Sequence, residues 1–197
     1  MKKLIILIIL ISTIACKAQT PVVSLDARGY KTSDGAYFKD LNYEFNKFEG
    51  TWLYTNGNTS LTVVLEKKEM VYNGTDYEDK LIGEYQYIEN GIEIVNTLPN
   101  LTNTNVAKHK IKGRHIIPNN LYLACNDCGV NERRVMLVFY DSERSYLSAS
   151  IILRYLEGSN PEQMTATIIS DGGGMIPNEN SPTELRVPYG EYLMVKQ

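Results

Sequence analysis

The clearest structural signal in the chain lies in residues 81–94, which read LIGEYQYIENGIEI. Every second residue from Leu81 to Tyr87 falls on one face of an extended strand, and the charged Glu84 falls on the other. Asn90-Gly91 follows directly, and both residues tolerate the positive φ angles that a tight hairpin requires. The stretch therefore predicts two antiparallel strands with one buried face.

The same period of two extends along the rest of the chain. Alternating apolar residues recur in residues 61–65, 147–155 and 164–168, whereas residues 135–140 are apolar on both faces and predict a covered strand. Lys67-Lys68 interrupts the pattern and predicts a turn, because the apolar residues change parity there. About eight to ten short strands joined by tight turns predict an all-β fold, either an antiparallel up-and-down barrel or, as the alternative, a β-sandwich.

A helical spacing precedes the strands. Four apolar residues recur at intervals of three and four, which places them on one face of a helix. These residues are Phe38, Leu41, Phe45 and Phe48. The pattern predicts one short amphipathic helix over residues 37–47 in front of the barrel.

The chain begins with two lysines, followed by an unbroken run of Leu and Ile from Leu4 to Ile11. This run is too short to cross a bilayer, which needs roughly 20 residues, and it is typical of a secretory signal. We predict a signal peptide over residues 1–15, a flexible tether over residues 16–36 and a single β-barrel-like domain over residues 37–197.

Two processing reactions are compatible with the end of the signal. The stretch Ser12-Thr13-Ile14-Ala15-Cys16 resembles a bacterial lipobox, in which a small residue precedes a cysteine that becomes lipidated. Alternatively, Cys16-Lys17-Ala18 forms an ordinary small-residue cleavage site. The lipobox is the favoured interpretation, and it implies a membrane contact through lipid on Cys16. It also implies a place in the cell envelope of a Gram-negative-type bacterium, in the outer membrane or periplasm.

The other two cysteines form a Cys-x-x-Cys motif. Cys125 follows a predicted strand and Gly129 follows Cys128, which is the context of a turn and favours a structural disulfide between Cys125 and Cys128. Two alternatives stay open. One is a redox-active pair of thiols, and the other is a metal site that the pair forms together with His109 and His115.

Composition and motifs argue against several kinds of function. The chain has 20 Lys and Arg against 23 Asp and Glu, a net charge of −3, which gives no reason to expect a nucleic-acid partner. Gly172-Gly173-Gly174 is not followed by the Lys-Ser/Thr of a phosphate loop, and no Gly-x-Ser-x-Gly elbow occurs. We therefore predict no catalytic residue, no metal site and no cofactor.

The triplet Gly50-Thr51-Trp52 resembles the Gly-x-Trp start of lipocalin-like barrels, and the resemblance covers residues 38–52. It implies that Trp52 plugs one end of the barrel and that the interior holds a small apolar ligand. The late arginine of that family corresponds by position to Arg186. Thr75-Asp76-Tyr77 lies too early in the strand order to be the second motif of the family.

Over its whole length the chain resembles a group of uncharacterised small bacterial lipoproteins, catalogued as a domain of unknown function. The resemblance rests on the signal end Cys16-Lys17-Ala18-Gln19 and on the signature Phe48-Glu49-Gly50-Thr51-Trp52. It implies a location in the envelope and supplies no activity.

Three functional hypotheses follow. The first is a non-enzymatic envelope lipoprotein that binds a small hydrophobic or amphiphilic ligand inside the barrel, lined by Leu61, Val63, Tyr85, Tyr87, Ile151 and Leu153. The second is an interaction module that presents residues 99–107 and 171–188 to another envelope protein. The third, ranked last, is a glycan or peptide hydrolase that uses two carboxylates among residues such as Glu84 and Asp141.

Overall fold

A computed structural model describes residues 20–27, 34–120, 125, 127–172, 174 and 176–197. The predicted signal peptide and the predicted lipidation site Cys16 lie outside the described residues. Of the predicted tether, only residues 20–27 and 34–36 are described.

The described chain consists mainly of β-strands. They are β1 (Val22–Ser24), β2 (Tyr37–Lys39), β3 (Gly50–Asn56), β4 (Thr59–Tyr72), β5 (Tyr77–Glu89), β6 (Ile92–Asn96), β7 (Ile111–Ile117), β8 (Arg134–Phe139), β9 (Ala149–Leu156), β10 (Gln163–Ser170) and β11 (Gly190–Lys196). Short 3-10 helices lie at Asn46–Phe48, Leu98–Thr102 and Val106–Lys108. Among the described residues, no helix is both long enough and apolar enough to cross a membrane.

Eight of the strands close into an antiparallel barrel. Strands β3, β4, β5, β7, β8, β9, β10 and β11 pair in that order. The barrel closes where β11 pairs with β3, with Val195 opposite Leu53 and Lys196 opposite Trp52. The predicted all-β up-and-down barrel is confirmed, and the alternative β-sandwich is wrong.

Strand β5 is long enough to serve several partners along one edge. It pairs with β6 at residues 86–89, with β7 at residues 81–83 and, in parallel, with β2 at Tyr77 and Glu78. Strand β1 in turn pairs in parallel with β2. The N-terminal segment is therefore added to the outside of the barrel as two extra strands.

The predicted helix over residues 37–47 is wrong. Tyr37–Lys39 forms β2, and only the single 3-10 turn at Asn46–Phe48 follows it. The backbone N–H groups of Glu44 and Phe45 donate to the Asp40 carboxylate, which fixes a turn in place of a helix. Of the predicted apolar face, Phe45 and Phe48 are buried, but Leu41 is 50% exposed. Pairing with β5 thus outweighs the local periodicity.

The predicted turn at Lys67-Lys68 is also wrong, because β4 runs through it. The parity change comes from a bulge between Lys68 and Val71. Met70 adopts a φ of 54° in this bulge, and its N–H donates to Asp79. By contrast, the Asn90-Gly91 hairpin is confirmed, with φ angles of 52° and 82°.

The barrel has two distinct ends. The end at which the N-terminal segment joins the barrel is called the entry end. It comprises residues 20–24, 34–49, 68–79, 127–133 and 157–162. The loop end is opposite and comprises residues 56–59, 89–92, 97–110, 140–148 and the described part of 171–189. The assignment follows from strand directions, since β5 runs from the entry end to the loop end and β4 and β7 run antiparallel to it.

Candidate functional site

The six residues predicted to line a ligand cavity all point into the barrel. Leu61, Val63, Tyr85, Tyr87, Ile151 and Leu153 are between 0 and 3% exposed. A cavity large enough for a water molecule would leave accessible surface on the side chains that line it. These six side chains therefore pack as core and leave no such space among themselves.

Glycines in the barrel wall show how tightly the interior is packed. A Cβ atom added to Gly83 would lie 2.8 Å from Leu65 Cδ2 and 2.3 Å from the Val64 carbonyl oxygen. A Cβ atom on Gly113 would lie 3.2 Å from Leu137 Cδ2. A methyl group at Gly83 would clash with the backbone of β4, and one at Gly113 would force Leu137 to shift by a few tenths of an ångström.

Trp52 lies in the apolar cluster at the entry end. It is fully buried, and its indole N–H donates to the Phe48 carbonyl oxygen at 2.7 Å. The Tyr155 ring meets it edge-on at 6.4 Å between centroids, and Lys196 Nζ lies 5.4 Å from the ring centroid. Arg186, predicted from the lipocalin resemblance to be the late arginine, lies instead at the loop end. The cation beside the tryptophan is therefore Lys196.

Asp79 joins the N-terminal segment to the barrel. Its carboxylate is fully buried and accepts hydrogen bonds from the Tyr37 hydroxyl at 2.5 Å, from the Asp40 N–H at 2.9 Å and from the Met70 N–H at 3.1 Å. Burial, together with the hydrogen bond to Asp79, raises the pKa of Tyr37, so its hydroxyl remains a donor. One carboxylate thus holds β2, the following turn and the β4 bulge together.

Asp40 continues this arrangement across the barrel end. Besides the two backbone N–H groups that it accepts, it lies 3.6 Å from the ammonium group of Lys67. Lys67 is itself mostly buried, with 7% of its side chain exposed. Two carboxylates and one ammonium group are therefore engaged in holding residues 40–45 over the entry end, and no exposed acid–base pair results.

At the loop end, another buried carboxylate, that of Glu84, holds the long loop after β6 in place. Glu84 Oε1 accepts from the Asn100 side chain and lies 3.0 Å from His109 Nδ1. His109 Nε2 lies 2.9 Å from the Asn103 carbonyl oxygen, so both ring nitrogens face oxygen atoms. With Glu84 and His109 at 0 and 1% exposure, the pair anchors residues 97–110 and leaves His109 no free nitrogen for a metal.

The buried carboxylate of Asp141 organises the other loops of this end. Asp141 accepts from the Arg186 guanidinium at 2.7 and 2.9 Å, from the Arg186 N–H and from the Glu143 N–H. Burial by itself raises the pKa of Asp141, but the Arg186 hydrogen bonds and charge outweigh it and hold the pKa below the usual value. The loop after β8 and the segment before β11 are thereby tied together.

The Cys-x-x-Cys motif forms the predicted disulfide. Cys125 and Cys128 are bonded, with their Cα atoms 5.3 Å apart. Arg154 from β9 holds this loop, since its guanidinium contacts Asp127 at 2.7 Å and Glu132 at 2.6 Å. The open alternatives of a free redox pair and of a metal site with His109 and His115 do not describe this structure, because bonded sulfur atoms are not available as thiolates.

Two of the described grooves lie on the outer surface of the barrel. One of about 470 Å³ at the entry end is lined by Tyr43, Glu44, Arg133, Tyr155 and Glu157, among others. Another of about 380 Å³ lies between the N-terminal segment and the outer face of β7 and β8. Both are open to solvent, which contrasts with the filled interior.

Sequence reasoning missed Asp40 and Asp79 as organising residues. A signal for Asp79 was present, because it has the same strand parity as the inward-facing Leu81 and so places a carboxylate on the buried face. Two of its three partners, Tyr37 and Asp40, lie about 40 residues away in sequence, and no local pattern identifies them. Glu84 and Asp141 were considered as hydrolase carboxylates. The structure engages both in internal hydrogen bonds.

The whole chain, residues 1–197, matches a family of unknown function, DUF6705. The chain belongs to this family. No curated protein and no solved structure matches it. The DUF6705 match therefore extends over the predicted leader and the barrel alike, and function has to be argued from the geometry.

Proposed function

We propose that this DUF6705 protein is a non-enzymatic, lipid-anchored protein of the bacterial cell envelope that acts by presenting its loop end to another envelope protein. The anchor is proposed from the apolar leader and the lipobox-like stretch that ends at Cys16. The mode of action is proposed from the packing of the barrel interior and from the loops at one end of the barrel.

The observation that carries the proposal is the filled interior. A barrel that transports an apolar molecule needs an internal space of some hundreds of cubic ångströms. The six side chains predicted to line such a space are at most 3% exposed and pack against the rest of the apolar core. Recognition is therefore more readily assigned to the outer surface than to the interior.

The loop end has the features of a pre-organised surface. Residues 99–107 and the described part of residues 171–188, the two segments that the sequence suggested for protein contact, lie at this end. The first is held by the Glu84–His109 pair, and Asp141 binds Arg186 in the second. Loops fixed before binding lose less conformational entropy when a partner docks, which favours affinity.

Site-specific photo-crosslinking in the bacterium tests the proposed contact. A photoreactive residue replaces Thr104 or Glu179, both exposed at the loop end, or Leu193, which is exposed on the barrel wall and serves as the matched control. We expect one adduct of constant mass from both loop-end positions and none from Leu193. Equal yields at all three positions, or none at any, would contradict the proposal.

The anchor is tested separately by the intact mass of the protein purified from membranes. We expect a chain that begins at Cys16 and carries covalent acyl groups, and a Cys16→Ser chain that lacks them. A chain that begins after Ala18 and has no acyl mass would support the alternative cleavage site and refute the anchor.

A further inference from the structure

We infer that the entry end of the barrel rests on the surface of the bilayer that holds the acyl chains, so that the loop end points away from the membrane. This inference rests on the proposed lipid anchor at Cys16. Beyond the anchor, the inference states which end of the barrel faces the membrane, and it names the lipid headgroup region as what contacts that end.

The position of Pro21 shows from which end of the barrel the lipid tether leaves. Pro21 lies against β2, since its carbonyl oxygen accepts from the Tyr37 N–H, and Tyr37 is opposite Tyr77 at the start of β5. The four peptide units that join Cys16 to Thr20 span at most roughly 14 Å even when fully extended. The entry end is therefore held close to the lipid.

The loop end lies beyond that reach. Strand β5 covers residues 77–89 between the two ends. At about 3.3 Å per residue this is roughly 40 Å along the strand, or roughly 30 Å along the axis of a barrel with ordinary strand tilt. A tether of roughly 14 Å that leaves from the entry end keeps this end beside the bilayer, whereas the loop end reaches the same bilayer only when the barrel lies on its side.

Exposed apolar side chains are concentrated at the entry end. They include Val22, Leu41, Tyr43, Met70, Tyr72 and Val130, which are 50 to 76% exposed. Val138 and Leu193 lie on the barrel wall, and Ile92 and Ile176 lie at the loop end. Side chains of this size that remain exposed together on one end favour contact with an apolar or amphipathic surface.

Two of these exposed side chains, Val22 and Tyr72, are the ends of a row across four strands, which we call the rim row. Between them Tyr77 is half-buried, and Tyr37 is buried with its hydroxyl group on Asp79. Val22 of β1 is opposite Tyr37 of β2, Tyr37 is opposite Tyr77 of β5, and Tyr77 is opposite Tyr72 of β4. Residues opposite each other in neighbouring strands share a face of the sheet. Tyrosine combines an apolar ring with a hydroxyl group, and for that reason it is enriched at the interface between membrane and water.

Electrostatic attraction does not account for the contact between the entry end and the bilayer. The net charge of the chain is −3, so anionic headgroups do not attract it as a whole. A few partly inserted side chains bind a bilayer only weakly by themselves, whereas acyl chains hold a protein there stably. The expected role of the entry end is thus to orient an already anchored barrel.

Nitroxide accessibility in lipid nanodiscs tests the orientation. The acylated full chain is reconstituted in an equal mixture of phosphatidylethanolamine and phosphatidylglycerol. Each disc holds one copy, so that a second copy of the chain cannot cover the entry end. Tyr72→Cys is compared with Ile92→Cys, two hairpin positions exposed by 59 and 66%, and Leu41→Cys with Leu193→Cys, both exposed by 50%. The Cys125–Cys128 disulfide leaves the introduced thiol as the site of labelling.

We expect labels at Tyr72 and Leu41 to be severalfold less accessible to a water-soluble nickel chelate than their matched controls. In the soluble Cys16→Ser chain, each pair is expected to be equally accessible. Equal accessibility within each pair on discs, with acyl mass present, would overturn the orientation and leave the anchor intact. A purified chain without acyl mass would overturn the anchor, and this inference with it.

Discussion

The two ends of the barrel are closed by different chemistry. At the entry end, Asp79 and Asp40 accept backbone N–H groups from a segment that also buries Phe45 and Phe48 in the core. At the loop end, the loops are held by a carboxylate–histidine pair and a carboxylate–guanidinium pair. The entry end is therefore sealed by the turn that follows β2. At the loop end, Leu147, Leu185 and Val187 also join the core, and two buried polar pairs fasten the loops around them.

The largest effect is expected from the apolar seal of the entry end. Trp52→Ala removes the buried indole and its hydrogen bond to Phe48, and we expect it to lower the free energy of unfolding by about 3–5 kcal/mol. Urea denaturation of the soluble domain measures this change. Leu193→Ala, on the exposed wall, is the control and should change stability by less than about 0.5 kcal/mol. A loss below about 1 kcal/mol for Trp52→Ala would show that the end is not sealed in this way.

A smaller loss is expected at the loop end. Asp141→Asn weakens the charged hydrogen bonds to Arg186, and we expect it to cost about 2–3 kcal/mol. Glu143→Gln is a matched control, because Glu143 contacts the same arginine but is 73% exposed, and it should cost less than about 0.5 kcal/mol. If both variants lost the same free energy of unfolding, the buried Asp141–Arg186 pair would not be the contact that stabilises the loop end.

The same pair predicts a dependence on pH. Because the pKa of Asp141 is lowered in the folded state, its contribution to stability is complete above the unfolded value of about 4 and is lost as the pH falls through the folded value. The stability difference between the wild-type chain and Asp141→Asn should therefore be constant from neutral pH to about pH 5 and shrink below about pH 4. Denaturant titrations across this range measure it. A difference that does not depend on pH would contradict the charge pairing.

The smallest effect is expected to be local. His109→Ala removes one anchor of residues 97–110 while Glu84 keeps its contact with Asn100. We expect amide exchange to accelerate by about tenfold in this loop, equivalent to about 1.4 kcal/mol, with little change in the barrel strands. Hydrogen exchange with peptide mapping resolves the two regions, and the exposed Thr104→Ala is the control. Acceleration throughout the barrel would mean that the loop end is part of the core.

The alternation of side chains in the sequence was sufficient to predict most of the strands and an all-β fold, because burial on one face imposes that period on each strand. It favoured a barrel but left a β-sandwich as the alternative. It was not sufficient at the ends. The spacing of Phe38, Leu41, Phe45 and Phe48 fits a helix, yet hydrogen bonds from residues 44 and 45 to Asp40 and the pairing of β2 with β5 decide the structure. The strand pairing joins residues far apart in sequence. The contacts with Asp40 are local, but they are side-chain hydrogen bonds that the spacing of apolar residues does not encode.

The candidate site was predicted less completely than the fold. Inward-facing residues such as Leu61 and Ile151 were identified, but whether a barrel is hollow depends on how side chains from opposite strands interdigitate. A single sequence does not give that volume. The disulfide between Cys125 and Cys128 was predictable because its turn context is local.

The central claim, that the barrel is a filled scaffold that acts through its surface, is tested most directly by comparing two masses. The acylated chain is purified from bacterial membranes and measured by mass spectrometry under native and then denaturing conditions. We predict identical masses, since no molecule is held inside the barrel. A stoichiometric excess under native conditions, released as an apolar compound on denaturation, would contradict the claim and restore the ligand-carrier hypothesis.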